Sequence, residues 1–311
     1  ESTGRLYDMF PGQENGRGAV FSMGGRDYLV DEVQAGRRLT ELRLCTDDEC
    51  DWPYQSYTDD LNECPHCGSE LTATPIHEVA SVHCRPAYKG EQYWNTRGLQ
   101  ITHTELTPTP DTTVESEDIF LLPAEVMRGA FHLTEFVYAY ERRHASGNGV
   151  DVRRSEASVT RDDTEYAPIG RQFQATGIQF DFPKAEIAER LDTSGEDVPW
   201  AALMVSFEQA LQRAIAVSVN VELDDFEVRS SIDNESLTVA VVDGRSGGNG
   251  VAWEVAETLH SRILPEVEEV LACENCYSYC EECLLLPRTP AFYLDNDLLD
   301  KQVARDFVHG D

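Results

Sequence analysis

The spacing of apolar residues changes once along the chain. Up to residue 182 they come in short runs of the kind that make strands. Residues 19–25 read Ala-Val-Phe-Ser-Met-Gly-Gly and are followed by Tyr28, Leu29 and Val30, which predicts two strands around a Gly24-Gly25 turn. Runs at 119–122, 136–140 and 177–182 predict further strands, and the polar segment 147–171 predicts a loop or a long hairpin. After Pro183 the period lengthens. Trp200, Leu203, Met204, Phe207, Leu211 and Ile215 recur at helical spacing and give one helix an apolar face. Residues 226–228 and 237–242 read as strands, the second apolar enough to be buried on both faces. Val251, Val255, Leu259 and Ile263 line a further helix, which Pro265 either kinks or follows with a second segment carrying Val267, Val270 and Leu271. There is no internal repeat and no low-complexity run.

The cysteines divide as four, one and four. Cys45 and Cys50 precede Cys64-Pro65-His66-Cys67-Gly68, where a tight turn with glycine after the second cysteine lets backbone N–H groups approach the thiolates. This spacing predicts a zinc ribbon, with His66 or Cys84 as substitutes for one ligand and buried free cysteines as the plain alternative. The second group is Cys273, Cys276, Cys280 and Cys283. Its spacing matches one helix face, yet a straight helix would spread the outer sulfurs over about 15 Å, too far for one ion with bonds of about 2.3 Å. The helix must end or bend inside the cluster. An iron–sulfur cluster is the alternative there, and a reducing cytoplasm argues against disulfides. Four thiolates leave a metal no open position for activating water, so both metals are expected to stabilise the fold and not to catalyse.

The expected fold class is therefore α+β. Residues 1–40 form β-rich strands, 41–75 the zinc ribbon, 76–182 a β-rich middle region, and 183–311 a mixed α/β domain with the second zinc site.

Between the strand at 237–242 and the helix after it lies Asp243-Gly244-Arg245-Ser246-Gly247-Gly248-Asn249-Gly250. A glycine loop opening a helix can present N–H groups to phosphate, but the lysine and Ser/Thr of a P-loop and the dinucleotide spacing are both missing. Asp243 could act as an acid with His260 in a hydrolase; an Asp that caps the loop is the structural alternative.

Charge alters the expected surroundings. The formal net charge is -32, and Lys89, Lys184 and Lys301 are the only lysines among 25 basic residues. Carboxylates spread along the whole chain with so little lysine point to a halophilic surface; an acidic surface that mimics or repels nucleic acid is the rival. At molar salt the Debye length is about 3 Å, so net charge does not exclude DNA, and any binding must lean on stacking and shape. The pairs Arg37-Arg38, Arg142-Arg143 and Arg153-Arg154 are the only basic clusters. No secretory leader or membrane span is visible, because the apolar stretch 200–221 is broken by Glu208, Gln209, Gln212 and Arg213. A cytoplasmic protein is expected, and the missing initiator methionine suggests a segment of a longer polypeptide.

Asp243 with Gly247-Gly248-Asn249-Gly250, a helix of about two dozen residues, the Cys273, Cys276, Cys280, Cys283-Leu284 spacing and a closing Leu298-Leu299-Asp300-Lys301 together resemble the C-terminal zinc-binding domain of MrfA-type superfamily 2 helicases. The module is also similar to the helicase-associated component B of the DISARM phage-defence system. The resemblance implies a non-motor domain in DNA repair or defence, partnered by a helicase motor in cis or in trans, with DNA as a further partner and no membrane. Only the four C-terminal cysteines and the Asp/Gly loop carry over by residue. Walker A, Asp-Glu-x-His and arginine-finger motifs are lacking, so no motor activity is expected of this chain. A protein-interaction scaffold that makes no DNA contact is the rival.

Overall fold

A computed structural model describes residues 20–23, 26–45, 47, 50, 56–57, 61–64, 66–86, 100–143, 150–154, 169–195, 197–244, 247–287, 289–290, 293–294 and 296–310. The strands are β1 (Val20–Met23), β2 (Arg26–Cys45), β3 (Ser56–Tyr57), β4 (Leu71–Pro86), β5 (Gln100–Pro108), β6 (Thr113–Ile119), β7 (Leu122–Arg143), β8 (Val150–Arg154), β9 (Ile169–Pro183), β10 (Phe226–Ile232) and β11 (Ser236–Asp243). The helices are α1 (Lys184–Arg190), α2 (Trp200–Ile215), α3 (Val251–Thr258), α4 (Leu264–Leu271) and α5 (Lys301–His309). No helix among the described residues is long and apolar enough to cross a membrane.

All the strands join one sheet, and β9 is its spine. Along one edge β9 pairs antiparallel with β7 from Val137↔Ile169 to Glu125↔Asp181. Its other edge is divided. Residues Gly177 to Pro183 pair antiparallel with β11, while only Ile169 and Gly170 meet β4, in parallel, at His77 and Glu78. Opposite that short seam β2 carries irregularities in its register between Gln34 and Thr40. Bulges of this kind bend and twist a strand.

Helices cover the C-terminal half of the sheet. The residues predicted to form the apolar face of α2 are all buried, and they share one core with β9, β10, β11, α4 and α5. Phe207 of α2 meets Phe307 of α5 edge-on at 5.1 Å, and Phe307 meets Phe182 of β9 at 5.4 Å. α3 and α4 are joined by a π-helical turn at Leu259–Ile263. Pro265, at the start of α4, has no N–H to give the preceding turn, so the helix widens there and continues.

One expectation changes and one is narrowed. The run 119–122 is not a strand: Phe120 and Leu121 form the tight turn between β6 and β7, with φ of 53° and 62°. Such turns favour Asn-Gly. Here burial of Phe120 against Phe207, and the bond from Arg190 Nη1 to the Phe120 carbonyl at 2.6 Å, offset the unfavourable backbone. In 147–171, Val150–Arg154 is a strand pairing with residues 139–143 of β7, which is the hairpin alternative. The Gly24-Gly25 turn lies outside the described residues, although β1 and β2 pair on either side of it.

Candidate metal centres

The first centre is assembled where β2 ends and β4 begins. Cys45 closes β2 opposite Leu71. Cys64 and Cys67 lie in the turn before β4, which is held by the Cys64 N–H to the Ser69 carbonyl and the Gly68 N–H to the Cys64 carbonyl, both 2.8 Å. Gly68 has φ +73°, the left-handed conformation that ends such a knuckle at little cost for glycine. Cys50 completes the group, and Leu61 and Leu71 pack against it. The sulfurs of Cys45 and Cys67 are 3.6 Å apart, and those of Cys50 and Cys64 are 3.8 Å apart. His66 and Cys84 are not members of this four-sulfur group. Cys84 is far along β4, opposite Val30.

The second centre follows α4. The helix stops at Leu271, before the first cysteine, so the sulfurs ride on successive turns and not on a helical face. The Cys283 N–H and the Leu285 N–H both reach the Cys280 carbonyl, and the Cys280 N–H points at Cys283 Sγ, 3.2 Å away. The Cys273–Cys280, Cys276–Cys283 and Cys280–Cys283 sulfurs are separated by 3.7, 3.4 and 3.6 Å. Cys283 and Leu284 belong to the main core, which ties this centre to the sheet.

In each group the four sulfurs lie within 4.8 Å of one another. Bonds of about 2.3 Å to a tetrahedral zinc give a sulfur–sulfur edge of about 3.8 Å, whereas a disulfide needs about 2.05 Å. The donor sets therefore fit one tetrahedral ion each. A multi-iron cluster, with its thiolates on separate irons, would hold them farther apart. Burial, first among several causes, pushes the Cys45 and Cys283 thiols up to about 12, so without a cation both keep their protons. A divalent ion reverses that preference and displaces the protons.

The glycine loop is already filled by its own acid. Asp243, fully buried at the end of β11, accepts through Oδ2 from the N–H groups of Asn249 (3.0 Å) and Gly250 (3.1 Å), and through Oδ1 from Ala252 (2.8 Å). A Cβ on Gly248 would stand 2.6 Å from that carboxylate, and φ there is +81°, so the position requires glycine. Asn249 Nδ2 donates to the Asp225 carbonyl at 2.7 Å. Gly247 is fixed separately, by its N–H to the Gln174 carbonyl. Asp243 thus caps α3 and occupies the place a phosphate would take. His260 pairs with Glu117 of β6 at 3.0 Å, so the Asp243–His260 pair has no geometric support.

Taken together, the unit runs from a helix at Phe207, through the capped loop, to four sulfurs ending at Cys283-Leu284. Residues 207–284 match the family model of the MrfA Zn-binding domain. The first centre lies outside the matched residues. The matched span runs across Asp243, Gly247, Gly248, Asn249, Gly250 and the second cysteine set. Among solved structures, the DUF1998 helicase MrfA bound to DNA is similar at 13% identity and a TM-score of 0.44, over 96% of this chain and 31% of that one. The same helicase with DNA and AMPPNP gives 11% and 0.34, over 93% and 27%. MrfA described without either gives 11% and 0.32, over 86% and 27%. This chain thus spans less than a third of those proteins. No curated protein matches.

Two cations went unassigned in the sequence. Arg213 of α2 donates to the carbonyls of Cys283, Glu281 (2.6 Å) and Leu285 (3.2 Å). Its only sequence signal was a charge interrupting an apolar face. Lys301 Nζ donates to the carbonyls of Cys273 and Cys276, the latter at 2.6 Å.

Proposed function

We propose that this chain is a zinc-stabilised, non-motor part of a DNA helicase, linked to its motor in cis or in trans, and serving DNA repair or phage defence in a salt-rich cytoplasm. The reading rests on one coincidence: the residues matching the MrfA Zn-binding domain are those that bring four thiolates to single-ion spacing. When bound, zinc would act as a cross-link among Cys273, Cys276, Cys280 and Cys283 and, at the ribbon, among Cys45, Cys50, Cys64 and Cys67. With four protein ligands no position is left for substrate. The chain's own residues then position a surface: Asp243 fixes the start of α3, and the second centre fixes the end of α4.

Engagement of single-stranded or forked DNA is the expected use of that surface. Protein docking is the second reading, favoured by a Tyr277 that is 84% exposed on a knuckle with exposed Glu274, Glu281 and Glu282. Fluorescence anisotropy of labelled single-stranded and forked oligonucleotides, with zinc-loaded and chelated protein in sub-molar to molar KCl, tests the choice. Saturable binding that is lost on chelation supports DNA engagement. A stable complex with a motor segment encoded in frame or in a neighbouring gene, without oligonucleotide binding, supports docking. If neither oligonucleotide binding nor a complex with a motor segment is found, the helicase reading has no support.

A further inference from the structure

Lys301 is one of only three lysines in 311 residues, yet it is buried, with 5% of its surface exposed. Burying an ammonium is costly unless it is matched by charge and hydrogen bonds. The partners of its Nζ are the carbonyls of Cys273 and Cys276 and, at 3.4 Å, the sulfur of Cys276. Its backbone N–H donates to the Ser278 carbonyl at 2.9 Å, so a single residue holds both turns that carry the first two cysteines. Its place is fixed from behind. The Asp300 side chain caps α5 by accepting from the Gln302 N–H, and the Asp300 N–H donates to Ser206 Oγ of α2 at 2.7 Å.

Four thiolates on one divalent ion carry a formal charge of two minus. We propose that Lys301 is the outer-sphere counterion of the C-terminal metal site, with its ammonium donating to the Cys276 thiolate. This rests on the zinc reading of that cluster. Arg213 brings a second positive charge to the carbonyls around Cys283, so each half of the cluster is faced by one cation from a core helix. Such outer partners orient the ligands and commonly change metal affinity by about 10–100-fold when removed. An ammonium close to the sulfur also withdraws electron density from it, because a charge-assisted hydrogen bond stabilises the thiolate.

The test uses the full chain loaded with zinc, titrated with a chromophoric chelator that competes for both ions, as parent, Lys301→Met and Lys301→Arg. Lys301→Met should weaken one of the two ions by about 10–100-fold and leave the other unchanged, while Lys301→Arg stays near the parent. In the cobalt(II)-loaded protein the thiolate-to-metal absorption band should shift in Lys301→Met, a change that mere loosening of α5 would not produce. If Lys301→Met fails to fold, Lys301→Gln is read in the same way. Two ions held as tightly as in the parent, with an unmoved band, would overturn the counterion role. A parent that binds no second ion would instead overturn the zinc reading, and this inference with it.

Discussion

Glu208 shows how much one side chain on α2 can matter. It is buried beneath β10, where its carboxylate accepts from the N–H and, at 2.7 Å, from the hydroxyl of Ser230. Burial, opposed in part by Arg229, raises it from an ordinary 4.5 to about 7. The folded chain therefore holds a proton that the unfolded chain releases between those two values. The stability this contributes is complete below about pH 4.5 and is lost as pH rises through about 7. Glu208→Gln, always neutral, should gain on the parent between pH 5 and pH 8, by up to about 3 kcal/mol. Denaturant unfolding of both proteins at the two pH values, in the same KCl, checks it; a constant difference between them would refute it. The cysteines could be read from the sequence because two sets of four at short spacings already specify a tetrahedral donor set. For Asp243 the sequence left a cap and an acid as alternatives, because the choice depends on where the N–H groups of Asn249, Gly250 and Ala252 point after the chain has folded, and they point at its carboxylate.

At the scale of elements, the second centre terminates a run in which β11 leads to the Asp243-capped loop, the loop to α3, and α3 through the π-helical turn to α4. Structural zinc contributes on the order of 10 kcal/mol in small domains, comparable to the whole stability of many of them. Cys280→Ser should expose residues 237–271 to protease, and metal content should fall from two ions to one, with the ribbon keeping its own. If those residues stay as protected as in the parent, the cluster is peripheral to the unit. The helices were legible because each buries one face at a period of 3.6, as Trp200, Leu203 and Phe207 do. The Phe120-Leu121 turn was not, because two apolar residues in left-handed conformations are favoured only by contacts with Phe207 and Arg190 that are remote in sequence. Where the helix ends relative to the cysteines was not legible from their spacing, which fits both a helix and consecutive turns; it ends at Leu271.

For the whole molecule, a net charge of -32 sets the response to salt. Screening relieves repulsion among the excess carboxylates, so thermal stability should rise as KCl increases into the molar range. Melting temperatures across that series check this; a protein equally stable at low salt would contradict a halophilic surface. The chain's overall topology was the least legible part, since nothing in the runs 136–140 or 177–182 announces that β9 will be shared by β7, β11 and β4. That sharing has a mechanical side. The ribbon sits at the end of the β2–β4 pair, whose ladder with β9, among the described residues, is limited to His77 and Glu78 beside the bulged stretch of β2, while β7 pairs with β9 from Glu125 to Val137. From Leu71 to the seam the pair is roughly 20 Å long at about 3.3 Å per residue. A sideways pull on the ribbon acts through that lever on a joint that peels pair by pair, whereas the β7–β9 ladder shares its load along its length. Under such a pull the short seam is expected to open before the β7–β9 ladder, which single-molecule pulling on the ribbon would record as a first, low-force step that leaves the second metal site intact.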